Sequence, residues 1–155
     1  MSEYTEVEQP FLQQLQALGW DVIDQGQDIP SDPSKSLRPD FRHWLLPEVF
    51  NRAVAAINPG QSAGKTWLTP KQLQDLQEQL LRQPNRTLLE ANEAIQGLLF
   101  KTGLDINEET GDEYPVVQLI DFAHPERNEF TAINQFRLDT PGCVKQFIIP
   151  DIVLF

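Results

Sequence analysis

Apolar positions recur at helical spacing through the first two thirds of the chain and change period in the last third. Phe11, Leu12, Leu15 and Leu18 share one side of a helix, and Gly19 is placed to stop it. Trp20-Asp21-Val22-Ile23 is short enough for a first strand. Residues 24–40 hold three prolines among mostly polar neighbours and read as a loop. Pro47 stands in the first turn of a second helix, where its missing N–H costs nothing, and Phe50, Ala53, Val54 and Ile57 mark that helix's buried side. Asn58-Pro59-Gly60 ends it. Thr69-Pro70-Lys71-Gln72 and Thr87-Leu88-Leu89-Glu90 are capping boxes, the first followed by Leu73, Leu76 and Leu80, the second by Ile95, Leu98 and Leu99 up to Gly103.

After residue 114 the period shortens. Val116-Val117-Gln118-Leu119-Ile120 suits a buried strand, and Phe130 to Leu138 alternates as a strand with one buried face. Asp139-Thr140-Pro141-Gly142 is turn chemistry. Phe147 to Phe155 is apolar except for Pro150-Asp151. Residues 5–103 thus read as helical and 114–155 as strand-rich, an α/β or α+β arrangement with helices covering a sheet. The chain stops within the apolar run Ile152-Val153-Leu154-Phe155, with no turn or polar terminator, which implies that the polypeptide continues.

Length and composition narrow the class. At 155 residues and 40% apolar, the chain fits one compact domain or a piece of one. Twelve basic against 23 acidic residues give a net charge of −11. Such a surface opposes tight non-specific binding to duplex DNA, which depends on Lys and Arg neutralising phosphates. A single cysteine, Cys143, excludes an internal disulfide and a cysteine-cluster zinc site. The polar start Met1-Ser2-Glu3-Tyr4-Thr5-Glu6 is no secretory signal, and no apolar run reaches membrane-spanning length. The expected setting is the cytoplasm, with no membrane partner.

Three apparent motifs fail on spacing. Ala63-Gly64-Lys65-Thr66 resembles the tail of a phosphate-binding loop, but the position of its first glycine is Pro59, which has no N–H to offer. Asp105, Asn107 and Glu109 imitate a calcium loop, yet its glycine falls one place late, at Gly111, and Val116 occupies the place of the bidentate Glu. His43 and His124 have no partner at metal-ligand spacing and suit surface or capping roles.

Four segments, in order, resemble the N-terminal domain of the R subunit of type I restriction-modification enzymes. They are Glu6-Val7-Glu8 running into Leu15-Gln16-Ala17-Leu18-Gly19-Trp20; Ile57-Asn58-Pro59; Leu119-Ile120-Asp121-Phe122 with Pro125-Glu126-Arg127-Asn128-Glu129-Phe130 and Asn134-Gln135-Phe136; and Pro150-Asp151-Ile152-Val153-Leu154-Phe155. The last two are the most specific. The resemblance implies the opening part of a PD-(D/E)xK nuclease domain over residues 1–155, with a restriction-endonuclease-like mixed sheet flanked by helices and incomplete at its C-terminal end. In the family an Asn-Gly turn and a Glu-x-Lys strand follow the Pro-Asp, and this chain does not contain them.

The same resemblance implies a site and partners. Asp151 would be a catalytic residue and the first metal ligand, and Glu8 a second catalytic acid from the first helix. A competing reading makes Thr5-Glu6-Val7-Glu8 a capping box, with Glu8 tied to the backbone. Asp121 follows a strand and reads as a structural Asp. The implied cofactor is Mg²⁺, since phosphodiester hydrolysis needs a cation to neutralise the phosphate and activate water. ATP would enter only through motor domains absent from this chain. The implied partners are double-stranded DNA and the modification and specificity subunits. By this reading the chain alone neither cuts nor appreciably binds DNA. The alternative is a degenerate, non-catalytic module that docks on the modification subunits through an exposed strand edge. An unrelated acidic helical adaptor would leave the matched order of the four segments unexplained.

Overall fold

The computed structural model describes residues 2–59, 68–82, 87–102, 104–105 and 116–155. In chain order the regular elements are α1 (Gln9–Ala17), β1 (Asp21–Ile23), α2 (Pro47–Ile57), α3 (Pro70–Leu81), α4 (Leu88–Gly97), β2 (Leu104–Asp105), β3 (Val116–Val117), β4 (Thr131–Asn134), β5 (Leu138–Asp139), β6 (Phe147–Ile148) and β7 (Ile152–Leu154). The fold is α/β with a mixed sheet. The chain divides into two compact units, Met1–Val49 with Glu129–Phe155, and Phe50–Asn128.

The first unit is built on a three-stranded sheet of order β1-β4-β7. β1 runs parallel to β4, with Val22 opposite Ala132, and β7 runs antiparallel, with Val153 opposite Ile133. All four residues of β4 are buried, so the central strand is covered on both faces. Leu12 and Leu15 of α1 close over Ala132, with Trp20, Val22 and Ile152 around them. Leu46, Val49, Ile133 and Phe136 form a second cluster, joined by Ile23, Leu138, Val153 and Phe155. The apolar stripe of α1 is narrower than the expected face. Phe11 and Leu18 point to solvent, because the inward line runs Glu8, Leu12, Leu15 at spacings of four and three. Gly19 stops α1 with φ +90.

The strand expected over Phe130 to Leu138 is shorter and differently buried. It ends at Asn134 because Gln135 takes a left-handed conformation, φ 48, which turns the chain out of the pleat. β5 and β6 then pair as a separate two-stranded hairpin, Asp139 opposite Phe147, with Gly142 at φ +83 in the connection. The apolar run at the end of the chain is likewise two strands, β6 and β7, divided at Pro150-Asp151.

In the second unit Val54, Leu68, Leu73, Leu76, Leu80 and Val117 form one core, with Phe50, Leu98 and Leu119 against it. Both capping boxes are present. The Thr69 hydroxyl accepts from the Gln72 N–H while Gln72 Oε1 accepts from the Thr69 N–H, and Thr87 and Glu90 repeat the pattern. The buried strand expected over 116–120 contracts to Val116–Val117. The Asn58 side chain takes the Gln118 N–H at 2.9 Å and donates to its carbonyl at 2.8 Å, so these groups are not left for a ladder. The phosphate-loop look-alike at 63–66, Gly103, and positions 107–111 of the calcium-loop look-alike lie outside the described residues.

Candidate functional site

Glu8 closes a single π-helical turn, Tyr4–Glu8, that leads into α1. Turns of this kind are rare and recur at functional sites. Here the turn brings a carboxylate onto the inward stripe of α1, where Glu8 is only 5% exposed. A buried carboxylate needs donors. Gln135 Nε2 donates to both Glu8 oxygens, 3.1 Å from each, and Asn134 Nδ2 lies 3.4 Å from Oε2. The expected capping box at Thr5 does not form. The Thr5 hydroxyl donates to the Ser2 carbonyl at 2.9 Å, and Glu8 points inward rather than back to the backbone.

Two consecutive strand residues normally face opposite sides of a sheet. Asn134 and Gln135 nevertheless both reach Glu8, and the left-handed turn at Gln135 is what lets them. It also turns two successive N–H groups toward β7. Gln135 donates to the Asp151 carbonyl at 2.8 Å and Phe136 to the Pro150 carbonyl at 3.0 Å. One residue therefore touches both acids singled out in the sequence: Glu8 through its carboxamide, Asp151 through its main chain. The Asp151 side chain is exposed at the bend before β7 and makes no hydrogen bond or ion pair with the described residues.

Asn134 is fully buried and ties the site to the loop after β1. Its Oδ1 accepts from the Gln25 N–H at 2.6 Å, and its Nδ2 donates to the Gly26 carbonyl at 3.0 Å. Gln25 Nε2 donates in turn to the Asn134 and Gln135 carbonyls, at 2.7 and 3.2 Å. Beside this network the Tyr4 hydroxyl donates to Asp24 at 2.6 Å, and that carboxylate holds the phenol above its ordinary range. Asp24 Oδ1 also accepts from the Gly26 N–H.

The other residues weighed in the sequence have local roles. Asp121 is a turn residue: its Oδ1 accepts from the Ala123 and His124 N–H groups, and Asn128 and Arg127 hold it further. His43 Nδ1 lies 2.9 Å from Asp40, whose carboxyl is pushed below its usual range by that ring and by the Arg42 N–H. His124 lies 3.5 Å from Glu126. Cys143 is free and exposed.

Among the described residues no three His, Cys, Asp or Glu side chains gather as a metal cluster. The oxygens that Gln135 touches here are the Glu8 carboxyl group and the Asp151 main-chain carbonyl, and the Asp151 carboxyl group is exposed at the same bend. This set does not suit zinc, which favours nitrogen and sulfur ligands. Oxygen donors are of the kind magnesium takes, one or two carboxylates with water and phosphate oxygens completing its shell.

Asn134, Gln135 and Gln25 were not assigned roles from the sequence. A signal was present: two adjacent amides interrupt an otherwise apolar strand, where buried polar side chains need a reason.

The fold and its polar network define an α/β domain in which one buried acid, Glu8, is held by amides where the central strand ends. Residues 1–155 match the family model described as "Type I restriction enzyme R protein N terminus", and the chain belongs to that family. It is 29% identical over 159 residues to the "Type I restriction enzyme HindI endonuclease subunit" of Haemophilus influenzae, covering 100% of this chain and 14% of that protein. No solved structure matches the chain significantly. No helix among the described residues is long and apolar enough to cross a membrane.

Proposed function

We propose that this domain contributes the first acids of a magnesium-dependent nuclease site, acting on double-stranded DNA within an ATP-driven restriction complex. The observation that carries the reading is the bridging position of Gln135, which ties buried Glu8 to the bend bearing exposed Asp151. Asp151 is the metal ligand and Glu8 the second acid, in a family whose members are restriction subunits. When bound, the cation would neutralise phosphate charge and lower the pKa of a water. The protein's part is to present Asp151 to solvent at a strand bend, to hold the Glu8 carboxyl group beside two amide donors, and to keep both in register through β4 and β7.

The test is Asp151→Ala in an R subunit carrying this domain, assembled with modification and specificity subunits. DNA cleavage is lost while ATP hydrolysis continues. Cleavage at the wild-type rate overturns the reading.

A second reading draws on the outer edge of β7, which has no strand beside it among the described residues. Such an edge accepts a strand from another chain. Docking on the modification subunits by this edge predicts that charged substitutions in β7 abolish co-purification. Unchanged co-purification removes it.

A further inference from the structure

Gln135 holds a disfavoured backbone conformation, φ 48. A non-glycine residue in the left-handed region is disfavoured relative to ordinary backbone, and Gln135 is one of only two such residues described, the other being Leu37 at φ 56. Leu37 merely ends a short 3-10 turn. Gln135 sits beside the central strand, and its conformation does two separate things. It breaks the alternation of β4, so that a second amide reaches Glu8, and it turns the Gln135 N–H onto Asp151. Strain of this kind clusters where geometry must be held for function.

We infer that Gln135 is a positioning residue for cation binding, setting the Glu8 carboxylate against the Asp151 bend. The inference rests on the reading of Glu8 and Asp151 as the acids of the cation site. Ligating carboxylates are themselves oriented by hydrogen bonds, and removing such a partner typically weakens metal affinity 10–100-fold. The contact is suited to that task, because one Nε2 straddles both Glu8 oxygens and fixes the plane of the carboxylate. Asn134, the remaining amide on Glu8, reaches only Oε2, and at a longer 3.4 Å. Asn134 alone therefore leaves the carboxylate free to rotate.

The experiment is a calorimetric Mg²⁺ titration, without nucleotide, of an R subunit carrying this domain and of four variants, with urea unfolding of this chain bearing each substitution. Gln135→Ala and Gln135→Gly both remove the carboxamide, but only glycine accepts the left-handed backbone without strain. The expected result is that both lose about 10–100-fold in Mg²⁺ affinity, while the glycine variant is the more stable of the two. Affinity that follows stability, restored in Gln135→Gly and lost in Gln135→Ala, overturns the inference, because the backbone turn alone would then be the requirement. Unchanged affinity in both, with binding abolished by Asp151→Ala and Glu8→Ala, overturns the inference and leaves the acid pair standing. Mg²⁺ binding that survives Asp151→Ala and Glu8→Ala, or no Mg²⁺ binding by the wild-type subunit, overturns both.

Discussion

Asn134→Ala is the substitution that most directly tests the buried network. The side chain is fully enclosed and serves three partners: the Gln25 N–H, the Gly26 carbonyl and Glu8. Truncation leaves each of them short of a bond. A buried group deprived of its partner costs about 1–3 kcal/mol. Gln25 and Gly26 are only partly buried, so water offsets some of their loss and they fall near the lower bound. Glu8 is buried and keeps only Gln135. The sum is roughly 3–5 kcal/mol, a large share of the ~5–15 kcal/mol that holds a typical domain. Urea unfolding followed by Trp fluorescence reads it, since Trp20 packs against the α1 cluster and lies 5.1 Å from the Phe130 ring. With a denaturant slope of about 2 kcal/mol/M, the midpoint falls by roughly 2 M. A fall of less than about 0.5 M would refute the energetic role assigned to the network.

Asn134→Asp sharpens the test. It keeps the acceptor for the Gln25 N–H but sets a carboxylate oxygen where an amide now lies 3.4 Å from Glu8 Oε2. Two ionised carboxylates at that distance repel, and taking up one proton relieves them. The penalty is therefore full at pH 7 and shrinks as the solution is acidified. The measurement is stability relative to wild type from pH 7 to pH 5, and a flat difference sinks the claim that the two side chains face each other.

Other outcomes follow from the rest of the first unit. Arg38 is 3% exposed, its guanidinium lies 3.6 Å from the Phe136 ring centroid, and its Nη2 is buried without a partner among the described residues. Burial pulls its pKa down to about 10, so the folded state binds this proton less tightly than the unfolded chain, a cost present at neutral pH and relieved only above about pH 10. Arg38→Met removes that cost together with the bonds to Ser36 Oγ and the His43 carbonyl, so it should change stability by no more than about 1 kcal/mol in a thermal melt, and a larger loss would show that the guanidinium contributes more than it costs. Asp40 is held below its usual range chiefly by His43, so its contribution is present above the ordinary carboxylate range and fades as pH falls through its lowered value. Asp40→Asn should flatten the acid limb of the stability curve below about pH 4, and an unchanged limb would count against it. Leu154 is 50% exposed beside the open edge of β7, so light scattering should show concentration-dependent self-association that Leu154→Lys suppresses. A monodisperse wild-type monomer with a sharp melt contradicts this.

The helices were legible because their signals are local. Thr69 with Gln72 and Thr87 with Glu90 lie three residues apart, so sequence spacing is spatial spacing. The sheet was less so, because its pairings are remote: β1 is joined to β4 across more than a hundred residues, and alternation cannot show that β4 is covered on both faces. The site divides the same way. Glu8 and Asp151 stood out through a family pattern, but the residue that joins them did not, because its role rests on a backbone angle. Polarity flags Gln135 in the sequence; only φ 48 explains how its side chain and its N–H serve two acids at once.

Charge supplies the last constraint. The unit carrying Glu8 and Asp151 holds five Lys and Arg residues against twelve Asp and Glu, 5 − 12 = −7. Two of the five are already committed. Arg38 is buried between the Phe136 and Phe41 rings, and Arg137 donates to Asp139 at 2.8 Å while lying over Phe41 and Phe147. Lys35, Arg42 and Lys145 remain exposed. Each phosphate contact contributes a slope of only about −0.9 to the salt dependence of binding, and proteins that hold duplex DNA firmly make several such contacts. Three scattered cations within an acidic surface fall short of that. A gel-shift titration at physiological salt should therefore show no stable complex between this chain and duplex DNA. Tight binding there would mean that the acids are screened by a feature other than the charges described. If the chain fails to bind while retaining Mg²⁺ at Glu8 and Asp151, cutting and holding are separate tasks, and the phosphate backbone must be presented to this site by some other surface.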